Sequence, residues 1–424
     1  MKITVNNLGP IKTATLEIKK LNVLFGANNG GKTYITYAIW ALINKFKKDA
    51  SIDIPQGMVQ KLLDNGSIPL DASILDESKI TKHLLREYNS SISKIFSAAD
   101  NAFDGFSAQI SSENLIEYNH SDKPDQIRFG KNAVLNLSVI REDDGNYSLA
   151  ATSTEQIDPK IPAFVIGEIL GRILAQRFMN IPFDRAFAIT SERTAVSLFY
   201  KNLDYKKSEA LDYIMKNKKF NAVELIEKIN SRYALPIQEN IDFVRDYDAK
   251  VKTTSYIFKE SEKYKILIEI WKDLLGGSFS YDQDTIMYRP HNANVDIPIY
   301  LTSSSVKSLF IIEAYLRHEI DKNDILFIDE PELNLSPKNQ VKMAKFLIAL
   351  CDAGIKIFVT THSDYISREI NLELNRRIDK DDISIYTIDD NSNVIQVPVD
   401  DSGFSVSVFD DVVREQLERG FNND

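Results

Sequence analysis

The first residues able to do chemistry form a glycine-rich loop near the start of the chain. Residues 26–33 read G-A-N-N-G-G-K-T and fit the pattern G-x-x-x-x-G-K-[ST]. An apolar segment precedes this loop and a helical pattern follows it, which is the context that the pattern requires. Glycines let main-chain N–H groups turn toward phosphate oxygens, and the positive end of the following helix adds to the attraction.

The loop therefore predicts a nucleotide-triphosphate site that also uses Mg²⁺. The Lys32 ammonium would reach the β- and γ-phosphates, and the Thr33 hydroxyl would be a ligand of Mg²⁺. The alternative is a glycine turn in an unrelated α/β protein, which the flanking strand and helix disfavour. The predicted ATP-binding residues are Gly26, Ala27, Asn28, Asn29, Gly30, Gly31, Lys32 and Thr33.

Two carboxylates follow an apolar segment about 300 residues downstream, in the run D-I-L-F-I-D-E at 324–330. Asp329 would belong to the Mg²⁺ shell, and Glu330 stands where a base could orient the attacking water. An apolar strand that ends in Asp-Glu is common by itself. Together with the phosphate loop, it predicts one site built from two distant parts of the chain.

A third strand-like segment, F-V-T-T at 358–361, leads to His362. The imidazole could donate a hydrogen bond to the γ-phosphate or to the attacking water. A single histidine at a strand end is more often just exposed, so the other two motifs support this interpretation.

Distant strand ends meet only if a sheet brings them together. Apolar strands that alternate with helices indicate a parallel sheet covered on both faces. The predicted strands are Lys2–Val5, Ala14–Ile18, Leu21–Phe25, Ala186–Thr190, Ile297–Leu301, Ile325–Ile328, Ile355–Thr360, Ile383–Ile388 and Val394–Val397. We also expect a hairpin from Leu135–Ile140 and Tyr147–Ala151 around Asp143-Asp144-Gly145.

Helical patterns fill most of the remaining chain. The helices expected from periodicity are 32–47, 161–179, a long stretch at 195–275 that includes a packed arm at 256–275, and 409–418. Residues 49–123 read as mostly helical and polar.

Composition places limits on function. The chain has 424 residues, with 51 Lys plus Arg against 61 Asp plus Glu and a net charge of −10, which argues against non-specific coating of nucleic acid. Cys351 is the only cysteine, so a disulfide framework and a cysteine zinc site are excluded, and a reducing interior is expected. No apolar run reaches the length of a membrane helix, so we expect a cytoplasmic protein with no membrane partner.

Together the three motifs resemble those of the ATP-binding-cassette superfamily in its non-transporter branch. The run D-E-P-E-L-N-L-S-P-K-N-Q at 329–340 is similar to the E-P-E-x-x-L-H-P-x-x-Q run of overcoming-lysogenization-defect (OLD) type ATPases. That branch includes the ATPase subunits of the anti-phage systems Septu and PARIS. The resemblance covers residues 1–40 and 297–370 and is weak between them.

The resemblance implies an α/β ABC-type ATPase head, with a mixed, largely parallel sheet, an antiparallel β subdomain and a helical insertion. The implied domains are an N-terminal lobe at 1–195, with an insert near 50–123, a helical arm at 196–276 and a C-terminal lobe at 277–424.

The resemblance also implies further site residues. Ser303, Ser304 and Ser305 fall where a signature motif would contact the nucleotide of a neighbouring subunit, and Ser305 replaces the expected glycine. A serine-rich helix start explains the same residues equally well. Glu192 and Arg193 take the place of the Q-loop, although a surface ion pair is the stronger reading there. Residues 334–337 match the D-loop, with Ser336 where the family usually has His.

The function implied is an ATP-hydrolysing sensor or switch, assembled as a homo-oligomer of at least two chains. Only 62 residues follow His362, too few for the TOPRIM nuclease domain of OLD-type enzymes. The resemblance therefore implies a separate effector protein, with a nuclease in anti-phage defence as the first choice.

Two other functions stay open. A RecF-like or SMC-like DNA clamp would use the basic stretch at 200–220, in which six lysines alternate with Tyr200, Tyr205 and Tyr213, although a solvated helix face is the simpler reading. A scaffold that binds ATP without hydrolysis is the other. A transporter ATPase is least favoured, because no coupling domain is evident.

Overall fold

The computed structural model describes residues 1–112, 115–118, 124–129, 133–143, 145–153, 162–201, 233–406 and 418–419. These form two compact units. Unit 1 comprises 1–41, 91–109 and 183–424, and unit 2 comprises 42–90 and 110–182. This grouping differs from the three segments expected from the sequence, whose arm at 196–276 is described only at 196–201 and 233–276. That three-part division stays a prediction.

The strands of unit 1 build two sheets. They are β1 (Lys2–Leu8), β2 (Ile11–Glu17), β3 (Leu21–Phe25), β5 (Ser107–Ser111, of which 107–109 belong to unit 1), β9 (Ala186–Ile189), β10 (Gly277–Asp282), β11 (Thr285–Pro290), β12 (Ile297–Pro298), β13 (Ile325–Asp329), β14 (Lys356–Thr361), β15 (Ile383–Ile388) and β16 (Asn393–Val397). In unit 2, β4 (Ser67–Leu70), β6 (Asp125–Phe129), β7 (Ala133–Arg141) and β8 (Tyr147–Ser153) form a third sheet.

Helices separate most of these strands. They are α1 (Lys32–Lys48), α2 (Gln56–Asn65), α3 (Glu77–Ile95), α4 (Ala163–Phe178), α5 (Arg193–Phe199), α6 (Leu235–Arg245), α7 (Tyr247–Lys250), α8 (Tyr256–Lys259), α9 (Lys265–Leu275), α10 (Ser304–His318), α11 (Pro337–Asp352) and α12 (Asp364–Glu373).

The large sheet of unit 1 has nine strands in the order β5-β1-β2-β16-β15-β3-β14-β13-β9. From β15 to β9 every neighbouring pair is parallel. Strands β3, β13 and β9 are buried along their whole length, as expected for strands covered on both faces. The α/β fold class, with a mixed and largely parallel sheet, is confirmed.

At the β9 edge of this sheet, one side chain forms hydrogen bonds with two main-chain groups. Asn240, fully buried on α6, donates from Nδ2 to the carbonyl of Ala188 at 2.5 Å and accepts from the N–H of Thr190 at 3.1 Å. The amide thus satisfies two main-chain groups at this edge that would otherwise lack partners.

Unit 2 contains the separate antiparallel sheet, in the order β4-β8-β7-β6. The predicted hairpin is confirmed as β7 and β8, with Leu137 opposite Ala151. Helix α4 packs closely on the chain at Ile52, because the N–H of Ile52 donates to the carbonyl of Gly171 at 3.0 Å. A Cβ at Gly171 would lie 2.2 Å from the Ile52 carbonyl, so this approach requires glycine.

Two predicted elements of unit 1 were wrong in part. The strand expected at 297–301 stops at Pro298, which has no N–H for the ladder, and a 3-10 turn follows at Ile299–Leu301. The helix expected at 256–275 is broken into α8 and α9, because Glu260 leaves helical geometry, with φ of −102° and ψ of 43°, and a turn follows before Lys265.

No strand was predicted at 277–290, yet this segment forms the antiparallel hairpin of β10 and β11. The turn is made by Gln283 and Asp284, both with positive φ. Asn-Gly or Asp-Gly would have been the usual sequence signal for such a turn.

Other predictions are confirmed or fall outside the described residues. Strands β1, β2, β3, β13, β14, β15 and β16 and helices α1 and α4 occur where the sequence predicts them, within a few residues. The helix expected at 409–418 and most of the basic stretch at 200–220 lie outside the described residues. Among the helices that are described, none is both long enough and apolar enough to span a membrane.

Candidate nucleotide-binding site

The predicted site residues follow the carboxyl ends of four neighbouring strands of unit 1. The phosphate loop follows β3, His362 follows β14, Glu330 follows β13 and Glu192 follows β9, and these strands are adjacent and parallel. All four segments therefore lie at one edge of the sheet, where open α/β sheets bind their ligands. The predicted convergence of the three main motifs is found.

The phosphate loop depends on glycine at Gly31. Its φ is +97°, and a Cβ would lie 2.8 Å from Pro10 Cγ and 2.9 Å from Ile11 Cδ1. Both the left-handed backbone and the close approach exclude a side chain. Inside the loop, the N–H of Gly30 donates to the Ala27 carbonyl at 3.3 Å. Residues 27–29 are exposed, which leaves the loop accessible to a ligand.

Lys32 is buried beneath the loop. Its ammonium donates to the carbonyls of Gly26 at 2.9 Å and Ala27 at 3.0 Å, and Nζ lies 2.7 Å from His362 Nε2. Burial lowers the pKa of Lys32, while the nearby carboxylates of Asp329, Glu330 and Glu332 oppose that shift. The Lys32 ammonium, which is predicted to bind phosphate, therefore lies close to the phosphate loop, to His362 and to the carboxylates that follow β13.

Asp329 accepts hydrogen bonds from two hydroxyl groups. Thr33 Oγ1 donates to its Oδ2 at 2.9 Å, and Thr360 Oγ1 donates to its Oδ1. Burial raises the pKa of Asp329, and the hydrogen bonds from Thr360 and Thr33 oppose that shift.

The pair Thr33 and Asp329 fits Mg²⁺, which prefers hard oxygen ligands and is commonly held by one or two carboxylates together with substrate phosphates. In the described part of the chain, no group of three or more His, Cys, Asp or Glu side chains could hold a metal ion without such help.

Glu330 has a left-handed backbone, with φ of +50°. Its N–H donates to the Thr360 carbonyl at 3.0 Å, and its carboxylate is partly exposed with Oε1 3.6 Å from His362 Nε2. The neighbouring imidazole lowers the pKa of Glu330. A carboxylate that stays ionised and reaches solvent suits a base that acts on water.

His362 faces two partners with the same nitrogen. When Nε2 accepts from Lys32 it carries no proton, so it cannot at that moment donate to Glu330. The main-chain N–H of His362 donates to Glu332 Oε1 at 2.6 Å. The histidine was predicted beside the γ-phosphate, and the structure places it between the loop lysine and the candidate base.

Glu332 was quoted in the motif but given no role by the sequence. Burial raises its pKa, and its contact with the His362 N–H fixes the start of the segment that carries the histidine. The signal was the second glutamate of Asp329-Glu330-Pro331-Glu332, which lies beyond the end of β13.

The three serines of the predicted signature begin α10. Ser303 caps the helix, because its Oγ accepts from the N–H of Val306 at 3.3 Å, and it lies 2.8 Å from the hydroxyl of Ser305. Ser303 and Ser304 are exposed, and Ser305 is half-buried. The helix-start reading is therefore confirmed, whereas the contact of these serines with a neighbouring subunit stays a prediction.

The two residues of the predicted Q-loop equivalent, Glu192 and Arg193, have different surroundings and different partners. Glu192 Oε2 accepts a hydrogen bond from the Tyr37 hydroxyl at 3.3 Å. Arg193 is fully buried, so the surface ion pair favoured for it was wrong. Its guanidinium donates to the carbonyls of Asp329 at 2.7 Å and Glu330 at 2.6 Å. Sequence alone could not show this, because these partners are 136 and 137 residues away.

The predicted D-loop is connected to the histidine segment through Gln340. Its Nε2 donates to the Leu335 carbonyl at 2.9 Å, and its Oε1 accepts from the Ser363 hydroxyl at 2.6 Å. Asn334 has φ of +62° and donates to Thr194 Oγ1 at 3.3 Å.

In the basic stretch, the structure describes Tyr200 and Lys201. Tyr200 is buried in the core, so it offers no face for a nucleic-acid base, and the exposed Lys201 donates to the Asp284 carbonyl.

Comparison with protein families gives one match that spans most of the chain. The family described as AAA ATPase domain, AAA_15, matches residues 1–367. No curated protein matches this chain.

Comparison with solved structures gives SMC head domains at low similarity. One is an SmcHead bound to the C-winged helix domain of ScpA, 11% identical, with a TM-score of 0.34 over 94% of this chain and 97% of that chain. Another is the SMC head domain from Thermotoga maritima, 10% identical, with a TM-score of 0.34 over 94% and 98%.

A third is an Smc head domain with an extended coiled coil, bound to the C-terminal domain of ScpA derived from Pyrococcus furiosus. It is 14% identical, with a TM-score of 0.34 over 98% of both chains. Likeness at this level establishes neither the fold nor the function of this chain.

Proposed function

This chain belongs to the AAA_15 family of AAA ATPase domains, and on that premise we propose that it hydrolyses ATP with Mg²⁺. One observation carries the proposal. The Thr33 hydroxyl of the phosphate loop contacts Asp329 at 2.9 Å, while Lys32 and Glu330 flank His362 Nε2 at 2.7 and 3.6 Å. Residues some 300 positions apart are thus gathered in the arrangement that phosphoryl transfer to water needs.

Each side chain takes a role that its surroundings support. The loop and Lys32 bind the phosphates, and Thr33 and Asp329 would hold Mg²⁺, which when bound neutralises phosphate charge. Glu330 orients and activates the attacking water, because a glutamate carboxylate is ionised at neutral pH and His362 lowers its pKa further. His362 leaves Lys32 when phosphate takes the ammonium, and its Nε2 is then available to the γ-phosphate or to Glu330.

We propose further that a complete site needs two chains. Ser303 and Ser304 are exposed at the start of α10. Hydroxyls at a helix N-terminus suit the binding of phosphate oxygen, so a homo-oligomer with Ser303–Ser305 of one chain on the nucleotide of another is the expected active form.

In the cell, this activity would be a cytoplasmic switch for a separate effector protein. The similarity of residues 329–340 to OLD-type ATPases supports a nuclease effector in anti-phage defence. A RecF-like or SMC-like clamp is the second candidate and agrees equally well with the family match. Its sequence support, the basic stretch, lies mostly outside the described residues.

The decisive test of hydrolysis is Glu330→Gln with Glu262→Gln as its matched control. Glu262 is an exposed residue outside the site. Loss of the base should lower kcat by about 10²–10⁴-fold and leave an ATP-bound oligomer that persists in size-exclusion chromatography. The control should hydrolyse ATP at the wild-type rate. Hydrolysis by Glu330→Gln at the wild-type rate would show that another group activates the water.

The partner is tested by a pull-down of tagged Glu330→Gln protein, expressed with its native neighbouring genes in ATP and Mg²⁺. Recovery of one stoichiometric protein with nuclease activity is the expected result. Recovery of DNA without a protein would make the clamp the better proposal and would remove the effector role.

A further inference from the structure

Arg193 is a fully buried cation with an unusual set of partners. Its exposed fraction is 0%, and within the described residues each hydrogen bond that its guanidinium donates goes to a main-chain carbonyl. Removing a charge from water is costly, and buried charges are usually paired with an opposite charge. Nearby carboxylates, Asp329 foremost, attract the Arg193 guanidinium, but its hydrogen bonds go to four carbonyls and therefore hold main chain in place.

Those carbonyls belong to three separate segments of unit 1. Nη1 donates to Asp329 at 2.7 Å and Thr190 at 3.2 Å, Nη2 donates to Glu330 at 2.6 Å, and Nε donates to Ser308 at 3.0 Å. One planar group therefore joins the end of β9, the end of β13 and the helix α10.

Among these partners, Glu330 has the backbone that most needs support. Its φ of +50° lies in the left-handed region, which side chains other than glycine adopt at a cost. Its main chain is held at both ends: the N–H donates to the Thr360 carbonyl at 3.0 Å, and the carbonyl accepts from Arg193 at 2.6 Å and from the Leu333 N–H at 3.0 Å. Because the backbone of Glu330 fixes where its side chain starts, these contacts also set where the carboxylate can reach.

The connection to α10 is made twice. The carbonyl of Ser308 accepts from Arg193. The hydroxyl of Ser308 also donates to the carbonyls of Ser305 at 2.8 Å and Leu333 at 3.1 Å. The first turn of α10 carries the exposed serines, and Leu333 lies three residues beyond Glu330. A shift of α10 would therefore move the segment that follows β13.

We propose that Arg193 is a positioning residue, which fixes the main chain of Glu330 against α10 and so sets the direction of the Glu330 carboxylate. This inference rests on the proposed hydrolysis of ATP and assigns the residue that couples the serine-bearing helix to the base. Burial lowers the pKa of Arg193 to about 10, so the guanidinium remains charged at neutral pH.

The test uses Arg193→Lys, which keeps the charge but not the planar fork. A lysine ammonium cannot reach three segments with fixed geometry. A displacement of about 1 Å at a reacting group can cost about 10²-fold, so kcat should fall by that order. The KM for ATP should stay within about twofold, because the phosphate loop is untouched.

Arg185→Lys is the matched control. Arg185 is a half-buried arginine of the same unit, paired with Glu319 at 2.5 Å and with its guanidinium over the rings of Phe187 and Tyr315. Its replacement should lower the thermal midpoint while kcat stays at the wild-type value. The comparison separates a loss of packing from a loss of positioning.

A wild-type kcat in folded Arg193→Lys, or an equal fall in Arg185→Lys, would overturn the inference. If Arg193→Lys does not fold, Ser308→Ala removes the second connection to α10 and should give a smaller fall in kcat with unchanged KM. Unchanged kcat in that variant would also overturn it. Absence of ATP hydrolysis in the wild-type protein would instead reject the proposed function itself.

Discussion

The two ends of strand β13 carry the same residue type in very different surroundings. Asp324 precedes the strand and Asp329 ends it, and each is only 1% exposed. Burial raises the pKa of both carboxyl groups. Burial and pKa direction therefore do not distinguish a site residue from a structural one in this molecule.

The partners do distinguish them. Asp324 Oδ2 accepts from the Tyr315 hydroxyl at 2.7 Å and from the N–H of Asp321 at 2.9 Å, with Arg185 nearby. These groups belong to the packed core and the adjoining turn. Asp329 is bound by Thr33 and Thr360, at the edge that also holds the exposed phosphate loop. A buried carboxylate indicates function when its donors are themselves possible ligands of substrate or metal.

The largest expected difference between the two ends is in hydrolysis. Asp329→Asn should lower kcat on the order of 10³-fold, because the carboxylate that would hold Mg²⁺ is lost. This factor corresponds to a loss of several kcal/mol of transition-state stabilisation. Asp324→Asn should hydrolyse ATP at nearly the wild-type rate. Steady-state assays over a range of Mg²⁺ concentrations measure both.

Equal losses in the two variants would break this comparison, because the effect would then come from the strand as a whole. Circular dichroism on each variant shows whether the sheet is retained before the rates are compared.

A second difference concerns the hydroxyl donors. Thr33→Val removes the donor to Asp329 and should raise the Mg²⁺ concentration needed for half-maximal activity by about 10–100-fold. Tyr315→Phe removes the donor to Asp324 and should cost about 1–2 kcal/mol of unfolding free energy, with the Mg²⁺ requirement unchanged. Mg²⁺ titration should therefore detect the Thr33→Val change, and urea unfolding should detect the Tyr315→Phe change. A shift of the Mg²⁺ requirement in both variants would contradict the separate roles of Asp329 and Asp324.

The sequence allowed more to be predicted at the Asp329 end than at the Asp324 end. Local pattern is sufficient for Asp329 and Lys32, because an apolar strand that ends in carboxylates and a glycine loop before a helix have few other uses. Asp324 looked like an ordinary polar residue before a strand. Its burial depends on Tyr315 and Arg185, which only the packing of α10 and β9 brings near.

Arg193 shows the same limit more sharply. Its residue type suggested a surface charge, and only the fold brings together the four carbonyls around it, from the ends of β9 and β13 and from α10. The β10–β11 hairpin was missed for a local reason, since Gln283 and Asp284 take positive φ without glycine. Predictions succeeded where short-range pattern determines structure, and failed where partners are distant or a turn uses unusual residues.

The mildest expected difference is in the pH dependence of stability, and it belongs to Asp324. Burial raises its pKa from 3.8 to about 6, with the Tyr315 hydroxyl, the Asp321 N–H and Arg185 opposing the shift. Between these two values the folded chain binds more protons at this group than the unfolded chain. Its contribution to stability therefore falls as pH rises from about 4 to about 6 and is constant above that.

The shift corresponds to about 2–3 kcal/mol, at roughly 1.4 kcal/mol for each pKa unit. Asp324→Asn keeps an oxygen that can accept from Tyr315 and Asp321, but it cannot ionise. As pH rises, the unfolding free energy of the variant should therefore increase relative to that of the wild type by this amount. Urea unfolding of both proteins from pH 4.5 to 7.5 measures it, because the other titrating groups cancel in the difference. A difference that does not change with pH would mean that Asp324 is ionised throughout, and the two ends of β13 would then differ in their electrostatics as well as in their donors.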